Sequence, residues 1–96
     1  MRDAEDAERI AMAVYVDALT PARWRYRYAC HMGADSREEL VRFAGALGMQ
    51  NEWLSSSTGR HREHFDLTPA MRRLAVAAGA VELSRREFSA KMRISR

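Results

Sequence analysis

The chain has 96 residues, 47% apolar and 30% charged, and its 16 basic against 13 acidic side chains leave a net charge of +3. That length and balance describe one globular domain and exclude a disordered chain. No apolar run reaches the roughly 18 residues of a membrane span, and a single cysteine, Cys30, excludes an internal disulfide.

A lone cysteine and an acidic start without a signal peptide make the reducing cytoplasm the expected compartment. So short a chain buries only about 60–65% of its unfolded surface, so a homodimer is an expected source of added stability. The first ten residues, MRDAEDAERI, carry no sustained apolar stripe and read as a flexible N-terminal extension. A single α/β domain is expected over 11–93.

Ala11 to Asp17, AMAVYVD, puts Met12, Val14 and Val16 on one face and Ala13, Tyr15 and Asp17 on the other. This is the pattern of a buried strand ending in a carboxylate. The stretch ALTPARWR contains Pro21 and reads as a loop, and Tyr26 to Met32 reads as a second strand. A parallel crossover between these two strands is short, so an antiparallel pair is the alternative. Gly33-Ala34-Asp35 reads as a turn. Ser36 to Glu39 matches a capping box that opens a helix carrying Leu40, Phe43, Ala44 and Leu47 and stopping at Gly48.

Gln50 to Leu54 reads as a short strand around Trp53, Ser55 to Gly59 as a flexible loop, and the charged run Arg60 to Asp66 as irregular. Thr68-Pro69 begins a second helix that Gly79 ends. Ala80 to Leu83 is a brief strand, and Ser84 to Glu87 is a second capping box opening a helix with Phe88 and Met92. The expected architecture is a small α/β sandwich: a three- or four-stranded, mostly parallel or mixed sheet covered by helices near 36–47, 69–78 and 85–92.

Several polar residues stand where ligands gather. Asp17 at a strand end reads either as a ligand-facing group or as a loop cap. His31 ends the second strand, and Asp35 precedes a helix. Either residue also has a structural reading, as a hydrogen-bonding histidine and as a helix-terminus acid. His64 and Asp66 are two apart, so an extended backbone aims both one way while Phe65 points inward. Arg72, one turn into the following helix, suits a phosphate near that helix start. The alternative has Asp66 capping the helix and His64 as a loop residue.

Asp17, His31, Asp35, His64 and Asp66 together form an N/O set of the kind that holds a divalent metal, although no HExxH or CxxC spacing is present. His61 adds a third histidine in an arginine-flanked stretch. Trp24 sits among Arg23, Arg25, Arg27, Tyr26 and Tyr28, a basic run interleaved with aromatics that suits a nucleotide or nucleic acid. It equally suits a strand whose tyrosines pack and whose arginines face water. The basic end, Arg85, Arg86, Lys91, Arg93 and Arg96, either attracts phosphates or forms a solvated helix face.

VYVD at 14–17, Arg23-Trp24, Cys30-His31, Ala34-Asp35, Glu39-Leu40, Phe43-Ala44, Leu47-Gly48, Trp53, HFDLT at 64–68, Arg72 and GAVELSRRE at 79–87 together resemble the domain-of-unknown-function 4031 family, small proteins of bacteria and their phages. The similarity runs in consistent order over about residues 12–88 and favours Met12 as the family-like start. The resemblance implies a fold and a shared polar set, Tyr15, Asp17, Trp24, His31, Asp35, His64, Asp66 and Arg72, and no reaction. Two departures are Ala29, where the family usually has tryptophan, and Phe65, where it usually has tyrosine.

The expected function is binding of a phosphate-bearing ligand, a nucleotide or a nucleic-acid end, by these Asp, His and Arg residues. A metal-assisted hydrolase built on the same residues is the second expectation. A non-catalytic interaction module using the two tryptophans and the basic last helix is the third.

Overall fold

In the computed structural model, residues 14–22, 27–55 and 63–93 are described; the expected extension over 1–10, Trp24 and His61 lie outside them. The strands are β1 (Val14–Val16), β2 (Thr20–Pro21), β3 (Tyr28–Ala34), β4 (Leu54–Ser55), β5 (His64–Leu67) and β6 (Val81–Glu82). The helices are α1 (Arg37–Ala46), α2 (Pro69–Ala77) and α3 (Arg85–Met92), all three where the sequence patterns place them.

The sheet runs β4-β5-β3-β1-β6, with β2 also paired to β3. Among the described residues six strands replace the three or four expected. The mostly parallel alternative fails too: β1–β3, β2–β3, β3–β5 and β4–β5 are antiparallel and, among the described residues, only β1–β6 is parallel. The short link after Asp17 explains this, because β1 and β3 pair antiparallel and need no crossover.

Two further strands come from stretches that read as loops. Thr20–Pro21 pairs with Tyr28–Ala29, where proline is tolerated on a short edge. The supposedly irregular charged run yields β5, in which Phe65 and Leu67 are fully buried while His64 and Asp66 alternate outward. Around Trp53 the chain makes one turn of 3-10 helix, Asn51–Trp53, and β4 follows it.

Gly33 and Ala34 continue β3 instead of turning. The reason lies across the sheet, since a Cβ on Gly33 would overlap Met92 Sδ and press on Phe88. Glycine is the residue that lets α3 close down on this strand.

The caps largely follow the sequence. Ser84 and Glu87 form the full reciprocal box, with Glu87 N–H donating to Ser84 Oγ at 3.1 Å and Ser84 N–H to Glu87 Oε1 at 2.9 Å. At α1 only half of it forms, because the Ser36 hydroxyl itself donates to Glu39 Oε1 at 2.9 Å. Thr68, and not Asp66, caps α2, accepting from Met71 N–H at 3.1 Å.

The sheet has two unequal faces. Val14, Val16, Cys30, Met32, Phe65 and Leu67 point toward α1 and α2 and form the main core with Leu40, Phe43, Ala44 and Ala75. Tyr15 packs with Phe88 and Met92 of α3 on the other face, in a much smaller cluster. None of the described helices is long and apolar enough to cross a membrane.

Candidate functional site

The strand register decides which polar side chains meet. Val16 stands opposite Met32 and His31 opposite Asp66, and Asp17 N–H donates to the His31 carbonyl at 3.2 Å. Asp17, His31 and Asp66 therefore form one row across three neighbouring strands, all on the α3 face. His64 lies two residues from Asp66 along β5 and shares that face, so the period of two brings it to the same place.

Asp17 is 3% exposed, the one buried charged side chain among the described residues. Its Oδ1 accepts the His31 backbone N–H at 2.6 Å, and its Oδ2 lies 2.9 Å from His31 Nδ1. A carboxylate only accepts, so Nδ1 carries the proton and Nε2 is left to face the rest of the cluster. The Asp17 hydrogen bond is the main reason the His31 ring is held above its ordinary histidine value, outweighing the opposite effect of burial.

His31 Nε2 lies 3.8 Å and His64 Nε2 3.7 Å from the same oxygen, Asp66 Oδ1. Both separations exceed a hydrogen bond, and they are nearly equal. The two rings meet edge to face with centroids 5.2 Å apart. His31, His64 and Asp66 each offer a ligand atom, and all three atoms lie within 4.8 Å of one another. Four ligands on bonds of about 2.1 Å around a tetrahedral ion stand roughly 3.4 Å apart, so the three atoms must draw closer together to hold one.

Cys30 neighbours His31 in sequence but points into the main core. Burial first, and the Asp17 carboxylate second, push its thiol up to about 12, which makes it a poor nucleophile and a poor ligand.

A cavity of ≈ 250 Å³ opens beside the cluster. Asp17, His31 and His64 form its sheet side, and Arg85, Phe88, Ser89 and Met92 of α3 form the other. A second hollow, ≈ 360 Å³, lies by the β2–β3 hairpin and shares His31 and Asp66 with the first.

The remaining expected residues are placed elsewhere. The Tyr15 hydroxyl donates to Asp35, 3.1 Å from Oδ1 and 3.2 Å from Oδ2, and accepts from Lys91 Nζ at 3.3 Å. Lys91 also lies 4.8 Å from the Tyr15 ring centroid, so this trio ties α3 to the sheet. Arg72 is engaged within the fold: its Nε donates to the Asp17 carbonyl at 2.9 Å and its Nη2 pairs with Glu82 at 3.1 Å. It thereby joins α2, β1 and β6 behind the cluster.

The sequence reading missed the α3 wall. The signal was present, since 85, 88, 89 and 92 follow the i, i+3, i+4, i+7 spacing of one helix face.

Comparison with known proteins adds one finding. The model of a family described as "Protein of unknown function (DUF4031)" matches residues 14–95 of the 96. No curated protein and no solved structure matches. The matched span takes in Asp17, β3, β5 and α3, which supply every residue of the cluster and the cavity wall, and the chain belongs to the DUF4031 family.

Proposed function

We propose that this protein binds a divalent transition metal through His31 Nε2, His64 Nε2 and Asp66, and uses it to hydrolyse a phosphate-bearing ligand. The observation that carries the reading is the pair of near-equal separations from Asp66 Oδ1 to the two Nε2 atoms, 3.8 and 3.7 Å. Both separations are too long for a hydrogen bond, and a shared ion would suit an oxygen that stands almost equally far from the two rings. Asp17 supports it as the outer carboxylate that orients a metal-binding histidine.

Two imidazoles and one carboxylate suit zinc, iron(II), cobalt(II) or manganese(II) better than calcium or magnesium, which prefer all-oxygen sites. Three protein ligands leave coordination positions open. An ion held there would lower the pKa of a bound water toward about 7 and polarise a phosphoryl oxygen. The net reaction such a site would serve is phosphate-ester hydrolysis, in which the hydroxyl of water goes to phosphorus and its proton to the departing alcohol. The chain's part is to fix the ligands: β3 and β5 set their spacing, Asp17 sets the His31 tautomer, and Arg72 holds the Asp17 backbone.

Thermal unfolding with a panel of metals and nucleotides tests the reading. An ion at a hundredfold excess over its Kd adds about 2.7 kcal/mol. Zinc, cobalt or manganese should raise the Tm of the wild type and leave His64→Ala unmoved, whereas nucleotides without metal should do nothing. His64 is the better probe, because removing His31 also strands the buried Asp17. A nucleotide shift that survives a chelator, or silence toward every transition ion, overturns it.

A further inference from the structure

Resting on the metal reading, we infer that α3 contributes an anion subsite beside the ion, with Arg85 as its cation and Ser89 as a hydroxyl donor, and that the ligand is a small phosphate monoester rather than a nucleic acid. Arg85 and Ser89 are one helical turn apart and line the cavity together with Asp17, His31 and His64. Phe88 and Met92 lie on the same helix face and fix how it sits. The Phe88 ring stacks on His31 with centroids 6.0 Å apart and planes 26° apart, and Met92 is buried over Gly33. That seating brings Arg85, in the first turn of α3, to the cavity that His31 and His64 also line.

Arg85 is suited to the task. No carboxylate among the described residues pairs with it, whereas Arg37 is paired to Glu63 and Arg72 to Glu82. It lines the same cavity as His31 and His64. A guanidinium lining the same cavity as a bound dication would be repelled by it unless an anion lay between them, and a phosphoryl group would supply that charge with oxygens for both. Arg85 thus takes the part that the sequence suggested for Arg72.

The size of the cavity sets the class of ligand. Its ≈ 250 Å³ falls below the roughly 300–1,000 Å³ of sites for drug-sized molecules. A phosphoryl group with a short or single-ring substituent fits, the substituent resting on Phe88 and Met92. A dinucleotide does not.

The test uses the full chain, cobalt(II) as the metal and phenyl phosphate as the anion, followed by the visible cobalt spectrum and by calorimetry. Wild type should bind cobalt, and phenyl phosphate should then perturb the cobalt bands. Arg85→Gln should bind cobalt at least as tightly, having lost a like charge, but phenyl phosphate at least tenfold more weakly. Arg85→Lys should recover part of the loss, and Arg86→Gln should behave as wild type. Equal binding of phenyl phosphate by wild type and Arg85→Gln overturns the subsite and leaves the metal site standing. Absence of any cobalt signal instead removes the metal reading. Phenyl phosphate is then titrated into the metal-free protein, where a response that requires Arg85 keeps the anion subsite and no response overturns it.

Discussion

Asp17→Asn is the sharpest test of how the cluster is built. Two contacts fix the Asp17 carboxylate: the His31 backbone N–H at 2.6 Å and His31 Nδ1 at 2.9 Å. In the asparagine variant the backbone N–H still needs an acceptor, so the amide oxygen takes that side. The amide nitrogen is then forced toward Nδ1, and two donors cannot face each other. Neutral His31 must move its proton to Nε2, the atom that faces His64 and Asp66, and that atom ceases to be a ligand. Loss of an outer-sphere partner of this type costs about 10- to 100-fold in metal affinity, or roughly 1.4–2.8 kcal/mol. Asp17→Ala does something different. It leaves a His31 backbone N–H without its acceptor, at a cost of about 1–3 kcal/mol in folding stability. Calorimetric titration of zinc or cobalt into folded Asp17→Asn, alongside thermal melts of both variants, separates the two effects. If Asp17→Asn binds either metal within twofold of wild type, the tautomer argument is wrong, whatever happens to the melting temperature.

Gly33→Ala should lower stability by about 1–3 kcal/mol, because a Cβ there meets the buried Met92 side chain and the Phe88 ring. Thermal melts check the cost, and a Tm within a degree of wild type would show that α3 does not sit as described. The His31 ring gives a pH signature. Its folded pKa is raised, so its contribution to stability is complete below the unfolded value near 6.5 and is lost as pH rises through the folded value. The Tm advantage of wild type over Asp17→Asn in metal-free buffer should therefore be largest near about pH 5 and shrink toward about pH 9. A gap that widens with pH would contradict the assigned contact.

Elements with a strong local signal were legible in the sequence. Ser36, Thr68 and Ser84 each announce a helix by a side chain that caps its own backbone, and the apolar spacing behind each cap sets the buried face. The sheet was less legible, because its strands are short and its charges mislead. At the end of the charged run the polar density hides a period of two over 64–67, with Phe65 and Leu67 inward and His64 and Asp66 outward. Gly33 looked like a turn residue, yet its role is set by Met92, some sixty positions away, and local propensity carries no trace of that. The same limit applies to the site. The convergence of Asp17, His31, His64 and Asp66 was a stated expectation, but the fate of Arg72 was not readable. A basic side chain one turn into a helix looks alike whether it meets a ligand or a backbone carbonyl.

Core and cluster depend on a single register. Along β3 and β5, Met32 faces Phe65 and His31 faces Asp66, so apolar and ligand-bearing pairs alternate row by row. A slip of one residue in β5 would turn Phe65 and Leu67 to the open face and drive His64 and Asp66 into the main core, where unpaired charges are costly. Phe65 is fully buried and lies between the two candidate ligands of its strand. Its burial is what fixes the direction in which His64 and Asp66 point. On the other face, α3 is eight residues long; it covers Tyr15 and Gly33 but only part of the next row, where the cavity opens. A domain with so small a core would gain apolar burial by filling that row. It instead places a buried carboxylate, two imidazoles and a second carboxylate there, the set through which the proposed metal would be held.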